Sequence, residues 1–174
     1  MPWIYFHVAI LALLGASQVS ARDAFDKVRC DGDIVKALIG QRDSDDTVVK
    51  TEERHKDIGL KDLGASDDNG FSSITWSICG KEYVVLENDK TNVVHDALQI
   101  PPHSPSHPAI EGVCKLNGKL MSDSVVGVVT ERSGAEGLAA ETAWRIDEKT
   151  VRFVRQPTDG LLCPRYGVEG WRSR

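Results

Sequence analysis

The chain has 174 residues and carries 26 acidic against 21 basic side chains, which gives a formal net charge of −5 at pH 7. An acidic chain without a basic stripe is a poor match for nucleic acid, whose phosphates must be met by Lys and Arg, or for an anionic membrane surface. The length suits one domain with a substantial core.

Residues 1–21 have the pattern of a cleavable export signal. An unbroken apolar run at residues 8–14 precedes small side chains at positions 19 and 21, so we expect cleavage after Ala21. The run is too short to cross a bilayer, which takes about 20 apolar residues. We therefore predict a periplasmic or secreted protein in which residues 22–174 form a single globular domain with no membrane span.

The predicted mature chain contains four cysteines, Cys30, Cys79, Cys114 and Cys163. An even number of cysteines in an exported chain favours disulfides over metal ligands or catalytic thiols. Two separations are equal, at 49 residues each, if Cys30 pairs with Cys79 and Cys114 pairs with Cys163. This spacing favours that pairing among the alternatives, with one bridge in each half of the chain.

The first predicted element is a short helix between Asp33 and Gly40. Asp33 has a side chain typical of an N-cap, and Gly40 can take the left-handed conformation that ends a helix. Residues 47–50 then predict a short strand, residues 58–63 a loosely patterned connector, and residues 66–70 a turn.

Residues 74–86 predict a central β-hairpin. Two runs rich in Ile, Val, Trp and Tyr flank a turn at residues 79–81, and such side chains suit a pleated, half-buried surface. Alternation along the first run places Trp76 and Ile78 on one face. We expect the rest of the chain to be organised around this hairpin.

The second half of the chain is also mostly β-structure by pattern. Residues 93–98 predict a short strand or helical turn, and residues 100–108 contain four prolines and predict a long surface loop. Residues 120–130 predict a strand, residues 134–142 a helical or irregular segment, and residues 142–155 a second hairpin. The predicted fold class is α+β, a mostly antiparallel β-sheet with one or two short helices and two disulfides.

The histidines His95, His103 and His107 are the candidates for metal binding. Imidazoles near a carboxylate can bind zinc or nickel, but the prolines exclude the helix on which zinc motifs usually hold a histidine pair. A solvated loop is therefore the favoured interpretation, and no metal site is predicted. The same histidines would be able to activate Ser104 or Ser106 if a base and a third group converge there.

Two charge patterns are further candidates. Asp43, Asp45 and Asp46 are a weak candidate for a surface calcium site, against the alternative of a solvated turn. Residues 145–174 hold an excess of basic side chains, which suggests a docking face for an acidic partner. A solvated sheet face balanced by acids from elsewhere in the chain is the favoured interpretation of that excess.

The chain has no G-x-S-x-G, H-E-x-x-H, C-x-x-C, phosphate-loop or dinucleotide motif, so neither a cofactor nor a catalytic residue is predicted. The favoured function is an exported, disulfide-stabilised binding or inhibitor-type module whose partner is a protein or an envelope component. The alternative is a small extracytoplasmic hydrolase, metal-assisted or not, for which the three histidines are the residues to test.

Overall fold

The computed structural model describes residues 23–44, 46–68, 70–130 and 137–164, so the predicted signal peptide at residues 1–21 lies outside the described residues. The helices are α1 (Ile34–Leu38) and α2 (Val48–Arg54), and a 3₁₀ turn follows at Lys56–Ile58. The described strands are β1 (Lys61–Asp68), β2 (Phe71–Ile78), β3 (Lys81–Asn88), β4 (Val94–Gln99), β5 (Ala109–Leu116), β6 (Lys119–Thr130), β7 (Leu138–Asp147), β8 (Arg152–Arg155) and β9 (Leu161–Cys163). All of their pairings are antiparallel, which confirms the predicted fold class.

The strands β2 and β3 form the predicted central hairpin. Its two turn residues, Cys79 and Gly80, have φ angles of 54° and 72°, and two positive φ angles are what a type I′ hairpin turn requires. Trp76 lies opposite Tyr83, and both are buried. The backbone N–H of Cys79 donates to the Ile58 carbonyl at 2.7 Å, so the turn is also fastened to the 3₁₀ segment.

The first sheet has the order β1-β2-β3-β4, and α1 packs on one of its faces. Asp33 caps α1 by accepting a hydrogen bond from the Lys36 backbone N–H at 3.1 Å, and Gly40 follows with a φ of 76°. The hydrogen bond and the φ angle confirm the predicted N-cap of α1 and the glycine that ends it. A helix of five residues is not stable by itself, so the burial of Ile34 and Leu38 against the sheet holds it in place.

The second sheet has the order β6-β5-β9-β7-β8, and β6 also pairs with β7. Four strands, β5, β6, β7 and β9, therefore close into a ring, which leaves no free edge between them. The interior is filled by side chains that include Val125, Val129, Leu138 and Leu161. Backbones approach closely at Gly127, where a Cβ would overlap the Thr142 carbonyl oxygen, so glycine is needed at this position.

The two sheets share a buried cluster. It contains Phe71, Val84 and Leu86 from the first sheet with Val126, Val128 and Ile146 from the second. The Phe153 backbone N–H donates to Asp96 Oδ2 at 2.9 Å, which adds a polar link between β8 and β4. Apolar burial and this hydrogen bond together fix the two sheets against each other.

Both disulfides have the predicted pairing. Cys30–Cys79 ties the N-terminal segment to the turn of the central hairpin, with 5.5 Å between the Cα atoms. Cys114–Cys163 joins β5 to β9 inside the ring, with 4.3 Å between the Cα atoms. Each therefore anchors a different part of the fold.

The predicted strand at residues 47–50 is wrong, because these residues begin α2. The Thr47 carbonyl accepts hydrogen bonds from the backbone N–H groups of Lys50 and Thr51, at 2.9 and 3.0 Å. Thr51 and His55 are both buried and lie four residues apart, which is the spacing of one helix face. The preference of valine for strands is overridden by this packing.

Two further segments differ from their predictions. The connector predicted at residues 58–63 and the turn predicted at residues 66–70 both overlap β1, which runs to Asp68. This strand lies at the edge of the sheet and is mostly exposed, so it lacks the apolar alternation that would reveal it. Most of the segment predicted as helical or irregular, residues 134–142, lies in β7 from Leu138 onward, where small alanines fit the narrow ring.

Candidate functional site

The structure separates the three candidate histidines. His95 lies on β4 with an exposed side chain. His103 and His107 both lie in the proline-rich loop (residues 100–108), but each approaches a different glutamate. Within the described ranges, no three or more His, Cys, Asp or Glu side chains are arranged to hold a metal ion.

The proline-rich loop is largely exposed, yet backbone hydrogen bonds fasten it. The Ile100 N–H donates to the Glu82 carbonyl at 2.9 Å, which ties the start of the loop to β3. At the tip, Ser104 and His107 exchange two backbone hydrogen bonds, of 3.0 and 2.9 Å. Each of the four prolines also restricts φ near −65°. A loop restrained in this way loses less conformational entropy when a partner binds it.

Side-chain pairs attach the same loop to both sheets. His103 Nε2 lies 3.0 Å from Glu82 Oε2 on β3, and His107 Nε2 lies 3.3 Å from Glu141 Oε1 on β7. All four side chains are partly exposed, so each pair contributes little to stability by itself. The two pairs instead fix the position of the loop, because they hold two of its residues against different sheets.

A cavity of about 370 Å³ opens where the loop meets the turn of the central hairpin, and we call it the loop cavity. It is lined by residues 80–82 from the turn and the start of β3, and by residues 99–103 from the end of β4 and the start of the loop. Ile100, Pro101 and Pro102 supply apolar walls, while charged side chains lie beside them. The volume is at the lower end of the range for ligand sites, about 300–1,000 Å³, so a small group fits.

A second group of polar side chains lies at the tip of the proline-rich loop. Ser106 Oγ is 3.1 Å from His107 Nδ1, and His107 Nε2 is 3.3 Å from Glu141 Oε1. Thr130 Oγ1 donates to the same glutamate oxygen at 2.6 Å. A hydroxyl, an imidazole and a carboxylate in this order resemble the groups that activate a nucleophile.

A buried ionic cluster that the sequence did not predict lies at the C-terminal end of α2. The Asp23 side chain is only 1% exposed, and Asp23 Oδ2 lies 2.9 Å from Arg54 Nη1 and 3.2 Å from His55 Nε2. The histidine contact is within ion-pair distance, but it is not aligned as a hydrogen bond. Asp23 and Arg54 are 31 residues apart in the chain, so no local pattern indicates their contact.

Of the three aspartates of the candidate calcium site, the two that the structure describes, Asp43 and Asp46, make different contacts. Asp45 lies outside the described residues, and the Asp46 carboxylate pairs with Arg54. Burial raises the pKa of Asp43 to about 6, and nearby Asp23 adds to the increase. Its carboxylate accepts a hydrogen bond from the Ser44 backbone N–H at 2.7 Å. Asp46 is already neutralised by an arginine, which argues against its service as a cation ligand.

Glu87, on β3, is a second carboxyl with a displaced pKa. Burial raises its pKa from 4.5 to about 7, and the negative charges of Asp43 and Asp89 add to the increase. The folded protein therefore favours the protonated carboxyl. The stability that this preference contributes is complete below pH 4.5 and is lost as the pH rises through about 7.

The substitution Glu87→Gln is expected to leave the free energy of unfolding nearly unchanged at pH 4. At pH 8 it should raise that free energy by about 1–2 kcal/mol, after allowance for solvent screening, because the amide carries no charge to desolvate. Urea denaturation at the two pH values measures the difference. Glu53→Gln, at an exposed position on α2, is the control and should show no such pH dependence. An equal effect of Glu87→Gln at both pH values would contradict the shifted pKa.

The basic side chains of the second hairpin do not all lie on one face, because Arg145 and Arg152 share a face and Arg155 lies on the other. Arg145 pairs with Asp123 at 2.9 Å and with Asp147 at 3.6 Å. The Arg155 guanidinium lies 4.4 Å from the ring centre of Trp144, which is partly buried. Arg165, Arg172 and Arg174 lie outside the described residues. Because two aspartates neutralise Arg145, this residue is poorly suited to a docking face for an acidic partner.

Comparisons with protein-family models, curated proteins and solved structures found no match to this chain. No helix in the described parts of the chain is long and apolar enough to span a membrane. The two disulfides are compatible with an extracytoplasmic location.

Proposed function

We propose that the protein is an exported binding module that holds a segment of a partner protein in the loop cavity. The signal-like pattern of residues 1–21 and the two disulfides support export. The partner is a protein of the periplasm, the envelope or the extracellular medium. Its binding segment enters between the turn of the central hairpin and the proline-rich loop.

The observation that carries this proposal is the loop cavity itself. It lies between two restrained segments, since Cys79 in the turn is bridged to Cys30 and the loop is fastened by hydrogen bonds and prolines. Apolar walls beside a few polar groups are typical of ligand sites that exist before the ligand arrives. A site of this kind binds with a small loss of conformational freedom.

The test is a substitution that fills the cavity. Pro102 lines it and is exposed, so Pro102→Trp should occupy the volume without loss of a backbone hydrogen bond. The expected result is at least a tenfold loss of affinity for the partner. The matched control is Pro105→Trp, which changes the tip of the same loop outside the cavity lining and should leave affinity within a factor of about two.

The measurement has two stages. The immobilised wild-type protein first captures material from the compartment to which it is exported, and each captured protein is purified. Its dissociation constant for wild type and for both variants is then measured by surface plasmon resonance. A partner whose affinity is the same for wild type and Pro102→Trp would refute binding in the loop cavity.

A serine hydrolase is a second candidate function because Ser106, His107 and Glu141 lie in contact. Against it, the His107 and Glu141 side chains are 45% and 44% exposed. Electrostatic stabilisation of a transition state is strongest in a site that excludes water. The exposed arrangement therefore supports catalysis less well than the loop cavity supports binding.

A fluorophosphonate probe separates the two functions, because it labels activated serines covalently. We expect no adduct on Ser106 when the intact mass of the treated protein is measured. A stoichiometric adduct on Ser106 that is lost in His107→Ala, with both disulfides retained, would place the hydrolase first.

A further inference from the structure

Two side chains that line the loop cavity, on Lys81 and Gln99, have donor groups for which the described residues show no acceptor. Lys81 lines the cavity, is exposed, and makes no ion pair within the described ranges. The one carboxylate in the lining, on Glu82, is already engaged by His103. Gln99 Oε1 accepts a hydrogen bond from the Tyr83 hydroxyl at 3.3 Å, so the side-chain NH₂ of Gln99 is the group left to donate.

Such a lining matches a group that brings only acceptors. A carboxylate meets this condition, since it offers two oxygens and no proton at neutral pH. The walls made by Ile100, Pro101 and Pro102 require, in addition, an apolar body next to that carboxylate. The ligand must therefore present both chemistries within a space of about 370 Å³.

We propose that the loop cavity recognises the C-terminal residue of its partner polypeptide, with an apolar side chain against the prolines and the α-carboxylate at Lys81 and Gln99. This inference rests on the proposed function. A terminal residue is the one position in a polypeptide that joins an apolar side chain to a carboxylate. An internal Asp or Glu supplies the carboxylate alone.

The negative net charge of the protein helps to identify the cause of any preference for a carboxylate over its neutral amide. Because the chain carries −5 at pH 7, it has no general attraction for anions. A preference for a carboxylate over its neutral amide would therefore report the local donors of the loop cavity. Lys81 and Lys119 are both exposed lysines at the start of a strand, but Lys119 lies outside the cavity lining.

The experiment uses two synthetic peptides, acetyl-Ala-Ala-Leu with a free C-terminus and the same peptide as its C-terminal amide. Each is titrated into the full mature protein while backbone amide shifts are recorded by NMR. We expect the free acid to bind at least tenfold more tightly than the amide, with the largest shifts at residues 80–82, 99, 100 and 103. Lys81→Gln should remove that difference, whereas Lys119→Gln should preserve it.

Each other result overturns a defined part of the inference. Equal affinity for acid and amide, with both lost in Pro102→Trp, would refute carboxylate recognition and leave the proposed function standing. Carboxylate recognition would also be refuted if neither peptide binds and Lys81→Gln leaves the affinity for the partner unchanged. If N-acetyl-leucine binds at least tenfold more tightly than the peptide, the preceding residues of a polypeptide are not accommodated, and the ligand is a small carboxylate and not a polypeptide terminus. The proposed function fails separately, when Pro102→Trp leaves partner affinity unchanged.

Discussion

Removal of the Cys114–Cys163 disulfide is expected to lower the free energy of unfolding by about 4 kcal/mol or more. The bridge closes a loop of 49 residues, and opening it increases the conformational entropy of the unfolded chain. Both cysteines are fully buried within the ring of β5, β6, β7 and β9. The double substitution Cys114→Ala and Cys163→Ala therefore also removes packed sulfur atoms. Guanidinium denaturation followed by fluorescence measures the loss.

The chain contains a matched control for this prediction. Cys30–Cys79 spans the same separation of 49 residues, so the entropy model assigns it an equal loop-closure term. It is less buried, however, because Cys30 is exposed. The double alanine variant of this bridge should cost about 1 kcal/mol less than that of Cys114–Cys163. A larger loss of stability at Cys30–Cys79 would contradict this ranking of the two disulfides by burial.

Replacement of Asp23 by alanine is expected to lower the free energy of unfolding by about 2–3 kcal/mol. The Asp23 carboxylate is buried and meets three groups, the Arg54 guanidinium, the His55 imidazole and the Phe25 backbone N–H. Its removal leaves that N–H without its acceptor and the buried His55 ring without the carboxylate that lies 3.2 Å from its Nε2. Arg54 is 42% exposed and can be hydrated, which keeps the loss below that of a fully buried ion pair.

Asp57→Ala provides the comparison, because Asp57 is an exposed aspartate in the 3₁₀ turn next to the same cluster. Its substitution should change the free energy of unfolding by no more than about 0.5 kcal/mol. Chemical denaturation at pH 7 measures both variants. A loss below about 1 kcal/mol for Asp23→Ala would show that the cluster is not an anchor of the N-terminal segment.

Elements with a strong local signal could be predicted from the sequence. The central hairpin has β-branched and aromatic side chains on both sides of a glycine turn, and α1 has an aspartate cap and a glycine stop. Equal loop lengths indicated the disulfide pairing. The residues that specify the hairpin and α1 lie close together in the chain, and the disulfides involve cysteines alone.

Elements that depend on distant contacts could not be predicted. The helix α2 begins with valines that favour strands, and Arg54 at its end contacts Asp23, which is far away in the sequence. The edge strand β1 is polar and is specified mainly by its pairing with β2. The loop itself was predicted, but the loop cavity needs residues 80–82 beside residues 99–103. That neighbourhood follows only from the pairing of β3 with β4.

The central claim is that this protein binds its partner through the loop cavity. The most direct test, which requires no knowledge of the partner, is to screen a protein of residues 22–174 by NMR against a set of small organic fragments, both apolar and carboxylate-bearing. We predict that the largest amide shifts cluster at residues 80–82, 99, 100 and 103, and that Pro102→Trp abolishes them while Pro105→Trp does not. Shifts that cluster instead on α2 and β1 or on β8, and persist in Pro102→Trp, would contradict the claim.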